Sequence, residues 1–130
     1  PLYTDLPTEE ATIRLLTIDP ISQSDLGVCG QLSTYPLASI PHYTAISYTW
    51  GDPKRAVPIR LNGHQVYVMR NLKQALRRLR SLNLGVPIWV DAICINHADS
   101  KERTEQVQLM RQIYETAILT IVYLGEPSQS

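Results

Sequence analysis

The feature that most constrains the fold is the apolar run Pro87–Asn96, which contains a single charged residue, Asp91. Runs of this kind are typical of strands that are buried on both faces, as in parallel sheets. The charged stretch 97–106 follows it and opens a predicted helix, which gives the order strand, loop, helix. Because ligands bind at the carboxyl ends of strands in open α/β sheets, this loop is the first candidate for a functional site.

Most other elements are strands, identified by residue alternation and by turn residues. Asn62-Gly63 supplies the two positive-φ residues that a type I′ turn requires, which predicts a hairpin over about 57–69. Pro58 lies in its first strand and predicts an edge position, because proline cannot donate to the ladder. The other predicted strands span 13–18, 28–34, 43–50 and 118–124.

Two helices are predicted from apolar residues at helical spacing. Asn71 is expected to cap the first, which runs to about residue 82 and is basic outside its apolar stripe. That charge indicates either a solvated face or a surface for a partner or a phosphate. The second helix, over about 100–117, connects the central run to strand 118–124, so these two strands should be parallel. The predicted buried stripes are Leu72, Ala75, Leu76, Leu79 and Leu82 in the first helix, and Val107, Met110, Ile113, Tyr114 and Ala117 in the second.

Length and composition predict one globular domain with a balanced charge. The 130 residues are 44% hydrophobic, and 12 Lys and Arg balance 12 Asp and Glu. A nucleic-acid or membrane-surface binder would need a positive excess, so neither partner is expected. No apolar run approaches the roughly 18 residues of a membrane span. The chain lacks a starting Met and stops soon after an apolar strand, so we expect it to be the N-terminal part of a longer protein.

The sequence predicts no metal site and no reactive thiol. Cys29 and Cys94 lie in apolar strands and are expected to be buried free thiols, without the spacing of metal ligands. A nucleophile formed by Cys94 with His97 or His64 is disfavoured, because no oxyanion-hole signature is nearby. A Rossmann-type dinucleotide site is not supported either, because no glycine-rich phosphate loop is present.

Glu102 is the carboxylate best placed to face a cleft. Helical spacing puts it on the rim of the buried stripe of the last helix, whereas Glu105 points to solvent. The spacing Asp99-x-x-Glu102 is also that of a capping box, so a purely capping role is the alternative. Gln106, one turn later, is expected to orient Glu102 or to contact a ligand.

Asp91 needs a partner if it lies inside a buried strand, because an unpaired buried carboxylate is costly or becomes neutral. Arg103, predicted on the buried side of the last helix, is the nearest chemically sensible partner. A structural arrangement, in which Asp91 pairs with Arg103 or with the backbone, and a catalytic Asp91 both remain open. A second polar patch, Trp50-Gly51-Asp52, ends the strand over 43–50, where Trp50 could stack a flat ring or simply pack in the core.

Several blocks of sequence resemble the heterokaryon-incompatibility (HET) domain of filamentous fungi. The resemblance covers about Ile13 to Gly125, and His97 replaces the Gln usual after Ile-Asn. The blocks are Tyr43-x-Ala-Ile-Ser-Tyr-x-Trp50-Gly51, Asn71-Leu…Ala75-Leu, Trp89-Val-Asp-Ala-Ile-Cys-Ile-Asn96, and Glu102-Arg103-x-x-Gln106-Val…Met110-x-x-Ile113-Tyr114.

The resemblance implies a cytoplasmic effector of fungal non-self recognition, which triggers programmed cell death on self-association under an upstream sensor domain or protein. Residues 1–130 would form a single HET domain whose C-terminal end is missing. The implied fold resembles Toll/interleukin-1 receptor (TIR) domains: a flavodoxin-like α/β fold with a mostly parallel sheet flanked by helices. An N-terminal strand pair and the inserted hairpin at about 57–69 would be added to it.

Some TIR-like domains cleave NAD with a glutamate on the helix after the third sheet strand, and by position this residue is Glu102. It would stabilise an oxocarbenium-like cation, with NAD as substrate rather than cofactor. The alternative is a non-enzymatic oligomerising adaptor, which the basic helix 71–82 favours. The predicted substrate-binding residues are Ser47, Trp50, Gly51, Asp52, Asp91, Asn96, Arg103 and Gln106.

Overall fold

The computed structural model describes residues 2–20, 27–48 and 56–124. These residues form an α/β fold with one seven-stranded sheet, so the predicted class is confirmed. A 3₁₀ turn at Leu37–Ser39 follows the second strand. The elements are β1 (Thr12–Ile18), β2 (Cys29–Pro36), β3 (Thr44–Tyr48), β4 (Ala56–Leu61), β5 (His64–Met69), α1 (Arg70–Leu82), β6 (Ile88–Trp89), α2 (Asp91–Cys94), α3 (Ser100–Thr116) and β7 (Leu119–Tyr123).

The sheet is mixed rather than mostly parallel, with the order β5-β4-β2-β1-β6-β3-β7. β3 lies between β6 and β7 and is parallel to both, so the prediction that β6 and β7 run parallel is confirmed. The N-terminal pair β1–β2 and the hairpin β4–β5 are antiparallel, as expected. At the hairpin turn Asn62 and Gly63 have φ of 49° and 78°, the signs that a type I′ turn needs.

The prediction that the whole run Pro87–Asn96 is a strand is wrong. Only Ile88–Trp89 is strand, and the chain then forms the single helical turn α2, in which the N–H of Cys94 donates to the Val90 oxygen at 2.8 Å. The run is apolar because the turn itself lies in the core, and periodicity alone does not separate a short buried strand from a buried turn. Asp91 therefore begins a helix at the carboxyl end of β6.

The core surrounds β1, the central strand of the sheet, and β3, which lies two strands away from it. Residues 12–16 of β1 and 44–46 of β3 are buried at consecutive positions, so both faces of these strands are covered. The fully buried Trp89 ring meets Tyr114 of α3 edge-on, with ring centroids 5.5 Å apart. The Tyr43 hydroxyl donates to the Ile113 oxygen, which fixes α3 against the sheet.

Three local predictions about α1 and β4 are wrong. The residue preceding α1 is Met69, and Asn71 lies inside the first turn rather than capping it. Leu82 is 56% exposed, because the chain reverses at Asn83 with φ of 50° and leaves the core. β4 lies between β5 and β2 and is not an edge strand; among the described residues only its Arg60 and Leu61 pair with β2, and Pro58 lies outside that paired stretch.

The buried side of α3 is rotated from the predicted stripe. Ile113 is buried and Met110, Tyr114 and Ala117 are partly buried, as expected, but Val107 is 54% exposed. The polar side chains of Glu102 and Gln106 are buried in its place. Glu102 and Gln106 are polar, so they did not count towards the apolar stripe from which the buried face was predicted. The predicted face therefore included Val107 in place of these two residues.

β7 forms one edge of the sheet among the described residues, and its outer surface is apolar. Ile118, Leu119, Val122 and Leu124 are all exposed, and residues 117–124 carry no charge. No helix in the described ranges is both long and apolar enough to cross a membrane.

Candidate functional site

Glu102 forms a buried, two-pronged ion pair with Arg14 of β1. The Arg14 Nη1 and Nη2 atoms lie 2.7 and 2.8 Å from Glu102 Oε2 and Oε1, and the two side chains are 3% and 8% exposed. The backbone N–H of Asn96 also donates to Oε2, at 2.7 Å. Arg14 was not among the site residues predicted from the sequence, although a lone arginine inside the apolar strand 13–18 was the available signal.

Arg14 also joins two other segments to this pair. Its Nη1 donates to the Cys94 oxygen at 3.2 Å and its Nη2 to the Thr4 oxygen at 2.8 Å. The guanidinium lies 4.8 Å from the centre of the Tyr3 ring, and the Tyr3 hydroxyl donates to the Ile93 oxygen at 2.6 Å. Burial raises the pKa of Tyr3 to about 12. The ion pair thus holds the N-terminal segment, the α2–α3 loop and α3 together.

The contacts of the Glu102 carboxylate are structural. Both oxygens accept charge-assisted hydrogen bonds from Arg14, which directs the group towards β1. The predicted N-cap of α3, Asp99, is confirmed, because its Oδ1 accepts from the N–H groups of Lys101 and Glu102. The catalytic role of Glu102 stays a prediction. Glu105 is exposed, as expected.

The surface next to Glu102 is acidic. A shallow hollow of about 210 Å³ is lined by Asp5, Leu6, Thr8, Asp99, Lys101, Glu102 and Glu105. Carboxylates outnumber the single lysine, so this hollow repels the diphosphate of a dinucleotide.

Asp91 occupies a different position, at the carboxyl ends of the parallel strands. It directly follows Val90 after β6 and is half-buried. Burial, followed by the Asp91 charge, raises the pKa of Tyr48 to about 12, and the same two causes raise that of Tyr114. Within the described ranges no side chain forms a hydrogen bond or an ion pair with the Asp91 carboxylate.

The predicted Asp91–Arg103 pair is wrong. Arg103 is exposed, and its Nη1 donates to the His97 oxygen at 3.2 Å. It faces solvent because Glu102, rather than its neighbour, turns towards the sheet. The Nε2 of His97 lies 2.8 Å from the backbone oxygen of Asp91 and so binds the turn rather than the carboxylate.

The remaining predicted site residues fall into three groups. Ser47 is half-buried near the end of β3, one residue before Tyr48 and therefore at the same sheet edge as Asp91. Asn96 and Gln106 shape the fold: the Asn96 Oδ1 accepts from the Ala98 N–H, and the Gln106 Nε2 donates to the Thr12 oxygen. The predicted patch Trp50-Gly51-Asp52 lies outside the described residues.

Cys94 does not form a nucleophile–base pair with His97 or His64, in agreement with the prediction that disfavoured one. Cys94 is fully buried, and burial raises the pKa of its thiol to about 12, so it stays protonated at neutral pH. His97 is bonded elsewhere, and His64 opens β5 at the opposite end of the sheet.

Comparisons with known proteins agree with this arrangement of blocks. The model of the family described as heterokaryon incompatibility protein (HET) matches residues 43–130. Heterokaryon incompatibility protein 6, OR allele, of Neurospora crassa is 38% identical over 128 residues, covering 87% of this chain and 18% of that protein. Vegetative incompatibility protein HET-E-1 of Podospora anserina is 28% identical over 116 residues, covering 83% of this chain and 8% of that protein. No solved structure matches the chain.

Proposed function

Because this chain belongs to the heterokaryon incompatibility (HET) family, we propose that it is a cytoplasmic effector domain of fungal non-self recognition. It acts when copies associate, under an upstream sensor domain or protein, and the outcome is programmed cell death. The names of both curated relatives support the recognition role. The chain spans less than a fifth of either relative, so the sensor and the trigger are part of the proposal.

The chemistry that we propose is hydrolysis of the N-glycosidic bond of NAD or a related nucleotide, in a domain with a TIR-like relationship. The bond between ribose C1′ and the nicotinamide nitrogen breaks, and its electron pair leaves with nicotinamide. Water adds to C1′ and releases a proton, which gives ADP-ribose. The transition state resembles an oxocarbenium ion, which a nearby carboxylate stabilises.

The observation that carries the proposal is the Asp91 carboxylate, with which no side chain of residues 2–20, 27–48 and 56–124 pairs. It is half-buried at the carboxyl ends of β3 and β6, where ligands of open α/β sheets bind. Glu102, by contrast, is already neutralised by Arg14. Asp91 is therefore the better candidate for the group that meets the developing cation, and Glu102 is a positioning residue that holds the loop through Asn96.

Neighbouring groups suit the rest of a nucleotide. The hydroxyls of Tyr48 and Tyr114 are protonated at neutral pH, as tyrosine hydroxyls ordinarily are, and burial raises both pKa values further. Each is a hydrogen-bond donor of the kind that a ribose hydroxyl or a phosphate accepts. Ser47 adds a third hydroxyl at the same edge. In this proposal Trp50, which follows Tyr48 by two residues, stacks on a base.

The test is nicotinamide release from NAD by concentrated protein. We expect Asp91→Asn to lower the rate by about 100-fold or more, the size of effect seen when a group that stabilises transition-state charge is lost. Glu115→Gln, which removes an exposed carboxylate from α3, is the matched control and should keep full activity. Undiminished turnover in folded Asp91→Asn would disprove the role of this residue.

A second function, that of a non-enzymatic oligomerising adaptor, is favoured by the basic outer face of α1. The two functions differ in one result. If the wild-type protein releases no nicotinamide at any concentration but still kills cells, the adaptor function is correct. If Asp91→Asn abolishes both turnover and killing while the protein remains folded, the enzymatic function is correct.

A further inference from the structure

The outer face of α1 carries positive charge only. The helix contains five cationic residues and no acidic one, while its four buried residues, Leu72, Ala75, Leu76 and Leu79, face inward. Arg70, Gln74, Arg77 and Ser81 follow one another at i, i+4, i+7 and i+11, so they lie along one line of the helix surface. Arg78 lies beside this line.

Two of the five cations donate hydrogen bonds to backbone oxygens, and no side-chain hydrogen bond of the other three is found within the described residues. Lys73 Nζ donates to the Pro58 oxygen and Arg80 Nη1 to the Gly27 oxygen, both at 2.8 Å. Arg70, Arg77 and Arg78 are exposed. The two ion pairs found among the described residues, Arg14–Glu102 and Arg111–Glu115, leave α1 without an acidic partner. We call Arg70, Arg77 and Arg78 the basic face.

The charge of α1 is balanced by an equal negative charge on the rest of the chain. Of the 12 cationic residues five lie in α1, which leaves seven against all 12 acidic residues. Several acids are exposed on the N-terminal segment and at the start of α3. We call this set the acidic surface: Asp5, Glu9, Glu10 and Glu105.

The two surfaces lie at opposite ends of β1. The acidic surface is held near its start, because Arg14 bonds to Thr4 and Gln106 bonds to Thr12. α1 lies near its end, where Leu79 and Arg80 line a hollow together with Ile18. A seven-residue strand is roughly 23 Å long, well beyond the roughly 8 Å over which salt screens charges, so the surfaces do not neutralise each other within one molecule.

We propose that the basic face of α1 docks on the acidic surface of a second copy of this chain. The inference rests on the self-association in the proposed function and assigns the surface through which it occurs. Two basic faces repel each other, so a symmetric α1–α1 contact is excluded and the contact joins two different surfaces. Copies that share one such contact leave one basic face and one acidic surface unused, so the assembly grows head to tail into a ring or a filament, whereas a two-fold dimer that forms both contacts is closed.

The arginines suit this contact. Guanidinium groups bind carboxylates through paired hydrogen bonds, and three of them on one exposed face can engage several acids at once. Because the contact is formed by exposed charges, salt weakens it. The monomer is therefore favoured at high ionic strength and the assembly at low ionic strength.

The test uses three sets of neutral substitutions in the full chain, followed by sedimentation at low and high salt. Arg70→Gln/Arg77→Gln/Arg78→Gln removes the basic face, and Asp5→Asn/Glu9→Gln/Glu105→Gln removes three members of the acidic surface. Lys101→Gln/Arg103→Gln/Arg111→Gln is the matched control, which removes three exposed cations from α3. We expect the wild type and the control to assemble at low salt and each of the other two variants to stay monomeric.

Mixing the two monomeric variants gives the sharpest result. Each retains the surface that the other lacks, so an equimolar mixture should form a single heterologous contact and stop at the dimer. The proposal is overturned if the wild type is monomeric at low salt and high concentration, or if removing the basic face leaves assembly unchanged. It is also overturned if assembly is insensitive to salt and is abolished by Val122→Lys, because the contact would then lie on β7.

The same samples separate this inference from the proposed function. Nicotinamide release that persists in monomeric variants would leave the enzymatic activity standing and remove its dependence on this contact. Salt-sensitive assembly without nicotinamide release would leave the contact standing and favour the adaptor function.

Discussion

Arg14 and Glu102, 88 residues apart in the chain, share a two-pronged ion pair with nitrogen–oxygen distances of 2.7 and 2.8 Å. One residue comes from β1 and the other from the first turn of α3. Because the Asn96 N–H and the Cys94 and Thr4 oxygens bind the same two side chains, the pair connects four segments. We therefore expect loss of the pair to lower the stability of the fold, rather than to act on ligand binding directly.

Removing one partner of this pair should destabilise the domain strongly. We expect Glu102→Gln to lower the free energy of unfolding by about 3–5 kcal/mol, because a buried guanidinium is left without its counter-charge. Denaturant unfolding measures this effect. The double variant Arg14→Met/Glu102→Leu should lose less than the sum of the single losses, since no buried charge remains.

The exposed pair Arg111–Glu115 is the control for that experiment. Its side chains are 92% and 64% exposed, so Glu115→Gln should change the free energy of unfolding by less than about 1 kcal/mol. An equally small effect of Glu102→Gln would mean that the Arg14–Glu102 pair does not hold the segments together.

Substitution of Asp91, unlike that of Glu102, should leave the stability of the domain almost unchanged. Because no side chain of the described residues pairs with its carboxylate, Asp91→Asn should change the free energy of unfolding by less than about 0.5 kcal/mol. It should also lower the pKa of Tyr48, since the Asp91 charge contributes to raising it. Denaturant unfolding and spectrophotometric titration of the tyrosines check both expectations, and a large loss of stability would give Asp91 a structural role.

The stability of the domain should fall as the pH rises above about 10. The Tyr3 and Tyr43 hydroxyls ionise near pH 10.0 in the unfolded chain, whereas burial raises both pKa values to about 12 in the folded one. Between these values the unfolded state binds fewer protons, so the free energy of unfolding decreases with rising pH. Tyr3→Phe should make that decrease shallower, whereas Tyr67→Phe, at an exposed position, should leave its slope unchanged.

The rotated face of α3 makes a further prediction about packing. Ile113→Ala should lower the free energy of unfolding by about 2–5 kcal/mol, because Ile113 is fully buried. Val107→Ala should cost less than about 0.5 kcal/mol, because Val107 faces solvent. Comparable losses of unfolding free energy at the two positions would mean that Val107 is buried, as helical spacing predicted.

Local pattern was sufficient for most of the elements. The short strand 13–18, the alternation in 28–34, the Asn62-Gly63 turn and the leucine spacing of α1 each depend on residues a few positions apart. They can therefore be recognised without knowledge of the fold. The family resemblance was also contained in the sequence, because its blocks are continuous stretches. Asp91 was recognised as a site candidate for a related reason: a charge inside an apolar run is conspicuous.

Tertiary structure decided how those elements use their polar side chains. The run Pro87–Asn96 forms a two-residue strand followed by a helical turn. Its apolar residues indicate that the run is buried, but they do not indicate whether it pairs as a strand. Glu102 binds Arg14 rather than facing a cleft, because β1 passes beside the start of α3. The two residues are 88 positions apart in the chain. Composition and spacing describe neighbours along the chain, whereas the partner of a buried charge is set by which strands lie side by side.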